Sequence, residues 1–203
     1  MDYINYTSLL DVDSTILSKP EYHTFREKYR LFRSVGRYLN SAIRQYNRIE
    51  NQFEEHCRLG SRTTSETETI ELELLFSDLH FLLICMDKCY KYEQELYQNL
   101  NLSSVAEKIY ISESATTVRK MRNILEHANE NINKTAQNIN YNLPPVYIEN
   151  GWSWLEYQSL SINNGIFRLK NEKLSLSDDM LSDIIKNYNS LINILNKEYI
   201  NLQ

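Results

Sequence analysis

The sequence contains few of the residues that break or cross-link a chain. Among 203 residues there are 4 glycines, 3 prolines and 3 cysteines. So few glycines and prolines exclude a fold built on many tight turns and favour long helices. Three cysteines are too few for a disulfide scaffold and odd in number, which predicts reduced thiols and a cytoplasmic protein.

Long apolar runs and an excess of positive charge are also missing. The most apolar stretch, residues 74–86, contains Asp78 and His80 and falls short of the roughly 20 residues that a membrane span needs, so we expect no membrane partner. The first residues, MDYINYTSLLDVD, lack the basic and apolar segments of a secretory signal. The net charge of −5 argues against a general nucleic-acid-coating protein, but it allows a local phosphate site.

Apolar residues recur at intervals of three and four along much of the chain, which predicts helices. The predicted helices are about Pro20 to Cys57, about Ser65 to Leu100, Ser103 or Ser104 to Ala136 with an interruption near 112–114, and about Ser177 to Leu202. The second is apolar over most of its circumference, so we expect it at the centre of the fold.

A β-hairpin is predicted at about 155–174, between the third and fourth helices. Asn164 and Gly165 form a strong two-residue turn signal. Pairing across this turn sets Ile162 opposite Phe167 and keeps apolar and polar residues in strict alternation. Because a lone hairpin is only marginally stable, its apolar face must lie on the helices or on another subunit.

These elements predict an all-α fold over residues 1–203. No repeat or linker divides the chain into two domains. We therefore expect a single four-helix up-and-down bundle with a small β-hairpin inserted before the last helix.

The third helix has a polar face suited to phosphate chemistry. On a helical wheel at about 100° per residue, this face holds Arg119, Arg122, Asn123, Glu126 and His127. Histidine transfers protons near neutral pH, and arginine offers a planar fork of donors to phosphate oxygens. Such a pair suits RNA cleavage without a metal, in which a ribose 2′-hydroxyl attacks the adjacent phosphate and leaves a 2′,3′-cyclic phosphate.

The segment from Arg122 and Asn123 to His127 resembles the R-x-x-x-x-H motif of HEPN domains. The bundle and the place of the motif in a late helix are similar to that superfamily as well. The resemblance implies a metal-independent endoribonuclease without a cofactor, in which two subunits bring both motifs to one cleft. It implies that Arg122 binds phosphate, that His127 acts as acid or base, and that Asn123 supports them. It also implies RNA as substrate, a homodimer, and a toxin–antitoxin or phage-defence role with an antitoxin or other partner protein.

Residues beside the motif extend this hypothesis and limit it. Arg119 and Lys120 add positive charge for substrate binding, and Glu126 is placed to orient His127 or to pair with Arg122 one turn away. Some HEPN toxins have a modifiable tyrosine two residues after the histidine, but here that position is Asn129. Regulation by tyrosine modification at that position is therefore not expected.

Alternative interpretations concern both the whole chain and single residues. The chain as a whole suits a catalytically silent module whose polar helix and hairpin bind a partner protein. Cys85 and Cys89 suit the core better than a metal site, and the tyrosines of the first helix suit the core better than base stacking. His80 and Asp87, about two turns apart, suit either a buried polar network or the site itself.

Overall fold

The computed structural model describes residues 19–59, 65–126, 160–163, 166–169 and 172–202. These residues form helices and one small sheet, in the order predicted. The α-helices are α1 (His23–Leu59), α2 (Ser65–Asn99), α3 (Ser103–Ile111), α4 (Glu113–Glu126) and α5 (Ser182–Leu202). Short 3-10 turns at Pro20–Tyr22 and Asp178–Leu181 precede α1 and α5.

Antiparallel packing joins α1 to α2 and to α5. The Gln52 side chain donates a hydrogen bond to the Asp78 carboxylate at 2.9 Å. Nearer the start of α1, the backbone carbonyl of Val35 accepts a hydrogen bond from the Cys89 thiol. These contacts run in opposite directions along α1 and α2. At the other side of α1, Phe32 stacks on Tyr188 with ring centroids 4.8 Å apart.

The last helix closes the bundle. Near its C-terminal end, Glu198 pairs with Lys28 at the start of α1. Toward its middle, the Asn187 side chain donates to the Glu93 carboxylate at 3.0 Å, and the Tyr97 hydroxyl donates to the Asn187 carbonyl at 3.4 Å. Helix α5 is thus antiparallel to α1 and packs beside α2, which is the arrangement of an up-and-down bundle.

Helix α2 lies at the centre, as its broad apolar surface predicts. It packs against α1, α3, α4 and α5. Leu79, Leu82, Leu83, Met86 and Leu96 are completely buried along it. The buried faces of the other helices surround these side chains, so one hydrophobic core serves the whole bundle.

The predicted interruption of the third helix falls at Ser112. This residue leaves the helical conformation, with φ −56° and ψ 146°, and its hydroxyl accepts the backbone N–H of Ala115 at 3.3 Å. It therefore caps the start of α4, where backbone donors have no helical partner. The predicted continuation from residue 127 to Ala136 lies outside the described residues.

The sheet confirms the predicted hairpin and adds a strand. Strands β1 (Leu160–Asn163) and β2 (Ile166–Leu169) pair antiparallel, with Ile162 opposite Phe167. A third strand, β3 (Glu172–Ser175), pairs with β2 on its other side. It was not predicted, because no glycine or proline marks the connection at residues 170–171.

The apolar face of the sheet lies on the helices of the same chain. Phe167, Leu169 and Leu174 are buried in the common core. Outside the core, Lys120 on α4 pairs with Glu172 on β3 at 3.1 Å. The apolar face of the sheet was expected to lie on the helices or on another subunit, and the structure shows that it lies on the helices.

Within the described part of the chain, no helix has the length and apolar character needed to cross a membrane.

Candidate functional site

The polar residues of the motif sit at the edge of α4 that faces α2. Helix α4 buries Ala115, Val118, Met121 and Leu125, and this apolar stripe fixes how the helix is turned. Arg122 then lies at the border of the stripe, with its side chain 17% exposed. Asn123 and Glu126 follow on the same helix, and Glu126 is its last residue. His127 lies outside the described residues.

A buried carboxylate on α2 anchors Arg122. The Nη1 atom of Arg122 lies 2.9 Å from Asp87 Oδ2, and the Asp87 side chain is only 2% exposed. Lys91, one turn along α2, approaches the same oxygen at 2.8 Å. A carboxylate this deeply buried is stable only when it is paired, so Asp87 holds the guanidinium in one place.

The remaining nitrogens of Arg122 face partners on α4 itself. Nε lies 3.4 Å from Glu126 Oε2, so of the two roles considered for Glu126 the structure shows the pairing with Arg122. Nη2 donates to the Asn123 side-chain oxygen, so Asn123 supports Arg122. We call Asp87, Arg122, Asn123 and Glu126 the Arg122 cluster. Its solvent side is Glu126, whose side chain is 37% exposed.

His80 lies beside the Arg122 cluster. Burial lowers the pKa of His80 below its ordinary value; the Glu126 carboxylate opposes this shift, and the Arg122 guanidinium adds to it. The Nε2 atom is buried and has no hydrogen-bond partner among the described residues. The imidazole is therefore neutral near pH 7, with one ring nitrogen turned into the protein.

Arg119 and Lys120, both predicted to bind substrate, have local partners near this cluster. The Arg119 guanidinium lies 4.1 Å above the ring centroid of Tyr110 and donates to the Tyr110 carbonyl at 3.4 Å. Lys120 is the residue that pairs with Glu172 of the sheet. Both side chains are thus engaged within the chain, three and two residues before Arg122.

Cys85, Cys89 and two tyrosines of the first helix fit the core interpretation. Burial raises the pKa of the Cys85 thiol, and it raises that of Cys89 further. Tyr46 is buried, and Tyr38 stacks on Tyr92 with centroids 5.7 Å apart. Among the described residues, no cluster of three or more histidine, cysteine, aspartate or glutamate side chains is placed to hold a metal ion.

Sequence reasoning noted two of the buried acids of α2, Asp78 and Asp87, and missed Glu93. Asp87 was a candidate for a buried network and lies in one. Glu93, which is completely buried, was not identified. Its desolvation raises its pKa well above the ordinary value; the hydrogen bond from Asn187 opposes this, and the charge of Asp183 adds to it. The available signal was an acid between Tyr90 and Leu96 on the apolar side of a central helix.

Comparison with known protein families, curated proteins and solved structures finds no match to this chain. Its function has to be inferred from the chemistry of the site.

Proposed function

We propose that the protein is a metal-independent endoribonuclease of HEPN type. The observation that supports this most directly is the fixed position of Arg122. The guanidinium is held by buried Asp87 on the neighbouring helix, and the histidine of the motif follows Glu126 directly in the sequence. A phosphate-binding group held by a second layer of residues is what catalysis by preorganised charge needs.

In the proposed reaction, Arg122 binds the phosphate to be cleaved. The phosphate takes the place of Glu126, because that carboxylate is the exposed and more distant partner of the guanidinium. Asp87 and Asn123 keep their contacts and maintain the orientation of the fork. Once Glu126 has swung away, Arg122 and Lys91 outweigh Asp87 by one positive charge, which favours the developing phosphorane.

His127 transfers a proton in the same step. As a neutral imidazole, His127 takes the proton of the ribose 2′-hydroxyl while the 2′-oxygen attacks phosphorus. The bond from phosphorus to the 5′-oxygen breaks, the 5′-oxygen takes up a proton from the imidazolium, and a 2′,3′-cyclic phosphate remains. An imidazole suits this exchange near neutral pH. The resemblance to HEPN domains further suggests a homodimer, a toxin–antitoxin or phage-defence role, and an antitoxin or another protein as partner.

The test is cleavage of a mixed RNA pool in EDTA by the wild type, Arg122→Ala and His127→Ala. We expect each variant to lose at least about 100-fold in rate, because each removes a group that acts in the transition state. Arg30→Ala is a matched control, since Arg30 is an exposed arginine of α1 that pairs with nearby Glu27. Equal cleavage by all four proteins would overturn the proposal.

The engagement of Arg122 favours a second candidate. The Arg122 guanidinium is already engaged by Asp87, Asn123 and Glu126, as in a purely structural ion pair. The alternative is a catalytically silent bundle that binds a partner protein. In that case the folded wild type would cleave no RNA, and Arg122→Ala would lower only the stability.

A further inference from the structure

We propose that one face of helix α1 binds the phosphate backbone of single-stranded RNA without reading its sequence. Four exposed arginines lie along this face, and we call them the arginine stripe: Arg33, Arg37, Arg44 and Arg48. The stripe is separate from the Arg122 cluster. The inference therefore goes beyond the proposed reaction and can be tested without it.

The spacing of the arginines places them on one side of the helix. Successive arginines are four, seven and four residues apart, which correspond to one, two and one turns of an α-helix to within about 40°. From residue 33 to residue 48 the stripe extends about 22 Å along the helix axis. The turn between Arg37 and Arg44 carries Asn40 and Ser41 toward this side, so no acid interrupts the stripe.

The apolar face of α1 fixes the direction of the stripe. Phe32, Leu39 and Tyr46 are buried in the core, and on a helical wheel they lie about 150° away from the arginines. All four arginines are exposed. Even Arg48, whose Nε lies 3.2 Å from Asp78, keeps 53% of its side chain exposed. The stripe therefore faces solvent along its whole length.

The positive charge of this face is not balanced by neighbouring acids. Residues 23–48 contain seven arginines and lysines and one acid, Glu27, although the whole chain has a net charge of −5. Glu27 pairs with Arg30 at 2.9 Å and is itself 45% exposed, so it repels phosphate there and the stripe begins after Arg30. Arg33 and Arg37 are paired with no acid among the described residues. Like charges one turn apart destabilise a helix, and an anionic partner relieves this repulsion.

A nucleic-acid backbone fits this surface better than other anions do. The backbone carries negative charge at regular intervals, as the stripe carries positive charge, and guanidinium groups match phosphate oxygens in geometry. A membrane-binding helix has apolar side chains free to enter the lipid, but the apolar face of α1 is buried in the core. Since contacts with phosphates carry no sequence information, we expect little sequence preference.

The stripe and the Arg122 cluster lie on opposite sides of α2. Asp78 contacts Arg48 on α1, and Asp87 contacts Arg122 on α4. Asp78 and Asp87 are nine residues apart, which places them half a turn out of phase on α2. A short RNA that lies along the stripe therefore does not contact the cluster.

The experiment measures binding of a fluorescent 2′-O-methyl RNA by fluorescence anisotropy. The RNA has about 12 nucleotides, within the range that single-strand-binding surfaces cover. Its blocked 2′-hydroxyls prevent cleavage by 2′-oxygen attack, so binding is measured apart from the proposed reaction. The test variant is Arg33→Ala/Arg37→Ala. Its charge-matched control is Lys108→Ala/Lys186→Ala, which removes two exposed lysines of α3 and α5.

We expect Arg33→Ala/Arg37→Ala to bind at least about 10-fold more weakly than the wild type in 0.1 M salt. The slope of log affinity against log salt should fall by about 1.4, because each phosphate contact on a single strand contributes about 0.7. Arg33→Lys/Arg37→Lys keeps both charges and should keep the wild-type slope. The lysine control should stay within about twofold of the wild type.

Two results would overturn the proposal directly. One is a wild type that does not bind the RNA, and the other is equal affinity of the wild type and Arg33→Ala/Arg37→Ala. Alanine is the best helix former, so we expect the variants to fold, and thermal unfolding verifies this.

Competition distinguishes a nucleic-acid backbone from an acidic protein. Unlabelled 2′-O-methyl RNAs of different sequences should displace the labelled RNA within about threefold of one another. Polyglutamate with the same number of charges should be at least about 10-fold less effective, because it lacks the phosphate geometry that arginine recognises. Equal displacement by polyglutamate would assign the stripe to acidic peptides and overturn the assignment to RNA.

The stripe and the proposed reaction can fail separately. Arg122→Ala should bind the 2′-O-methyl RNA as tightly as the wild type, and a loss equal to that of Arg33→Ala/Arg37→Ala would contradict the stripe as the binding surface. A wild type that binds RNA through the stripe but cleaves no RNA would overturn the proposed function alone.

Discussion

Asp87 shows how one buried residue organises its surroundings. Its carboxylate is shared by Arg122 from the neighbouring helix and Lys91 from its own. The two partners differ in exposure, with side chains 17% and 43% exposed. Surface ion pairs contribute little to stability, whereas breaking a buried pair leaves an uncompensated charge. The contact between Asp87 and Arg122 therefore contributes most of the stability that this network provides.

Replacing Asp87 should destabilise the fold far more than replacing Lys91. We expect Asp87→Ala to lower the free energy of unfolding by about 3 kcal/mol, at the low end for a broken buried pair because Arg122 keeps Glu126. Lys91→Ala should change it by about 0.5 kcal/mol or less. Urea unfolding followed by circular dichroism measures both. Similar losses in the two variants would contradict a special role for the contact between Asp87 and Arg122.

At the scale of elements, the sequence predicts most of what the structure contains. Apolar periodicity locates the long helices to within a few residues, and pairing across the Asn164-Gly165 turn signal predicts the register that β1 and β2 have. Both signals are local, so they can be read without knowing the fold. Strand β3 carries no such local signal, because its pairing depends on β2 already lying on the helices.

The contacts of the candidate site also differ in how far the sequence predicts them. The pairing of Arg122 with Glu126 follows from their spacing on one helix. The contact of Arg122 with Asp87 joins residues on different helices, and the engagement of Lys120 by Glu172 joins a helix to a strand. Such contacts depend on how elements pack, which periodicity does not specify. The sequence thus predicts contacts within one helix better than contacts between elements.

Phe167 tests how firmly the sheet belongs to the core. It is completely buried in the strand between β1 and β3, so a substitution there reports on stability and not on binding of a partner. We expect Phe167→Ala to lower the free energy of unfolding by about 3–4 kcal/mol. Lys173→Ala, at an exposed position of β3, should leave it within about 0.5 kcal/mol.

Equilibrium unfolding in urea tests this prediction, and the slope of the unfolding free energy against urea concentration is a check. A small effect of Phe167→Ala at unchanged slope would show that the sheet is an appendage which adds little to the core. An effect as large as predicted would show that the helices and the sheet unfold together.

At the scale of the molecule, the stability should depend on pH through Glu93. Its pKa is raised in the folded state, so the unfolded chain releases this proton first as the pH rises. Above about pH 4.5, the ordinary value, this group therefore lowers stability with increasing pH, by up to about 1.4 kcal/mol per unit. The decline ends when Glu93 ionises within the folded protein.

The variant Glu93→Gln removes this dependence while keeping the shape of the side chain. The difference in free energy of unfolding between Glu93→Gln and the wild type should increase by at least about 1 kcal/mol, in favour of the variant, as the pH rises from 4.5 to 8. Glu95→Gln alters an exposed glutamate of the same helix and should show no comparable gain. Urea unfolding at several pH values gives the comparison. A difference between Glu93→Gln and the wild type that is constant with pH would contradict the prediction.

Three acids that are buried in the described part of α2 have a consequence for the handedness of the bundle. Asp78 pairs with Arg48 on α1, Asp87 with Arg122 on α4, and Glu93 with Asn187 on α5. Successive helices of an up-and-down bundle can follow one another to the left or to the right around the bundle axis. Apolar helix faces alone pack equally well in both arrangements. In the mirror topology these acids would face the wrong helices, and a buried polar group without its partner is unfavourable, by several kcal/mol where it is charged. The polar residues of the central helix thus distinguish the fold from its mirror topology, a choice that hydrophobicity leaves open.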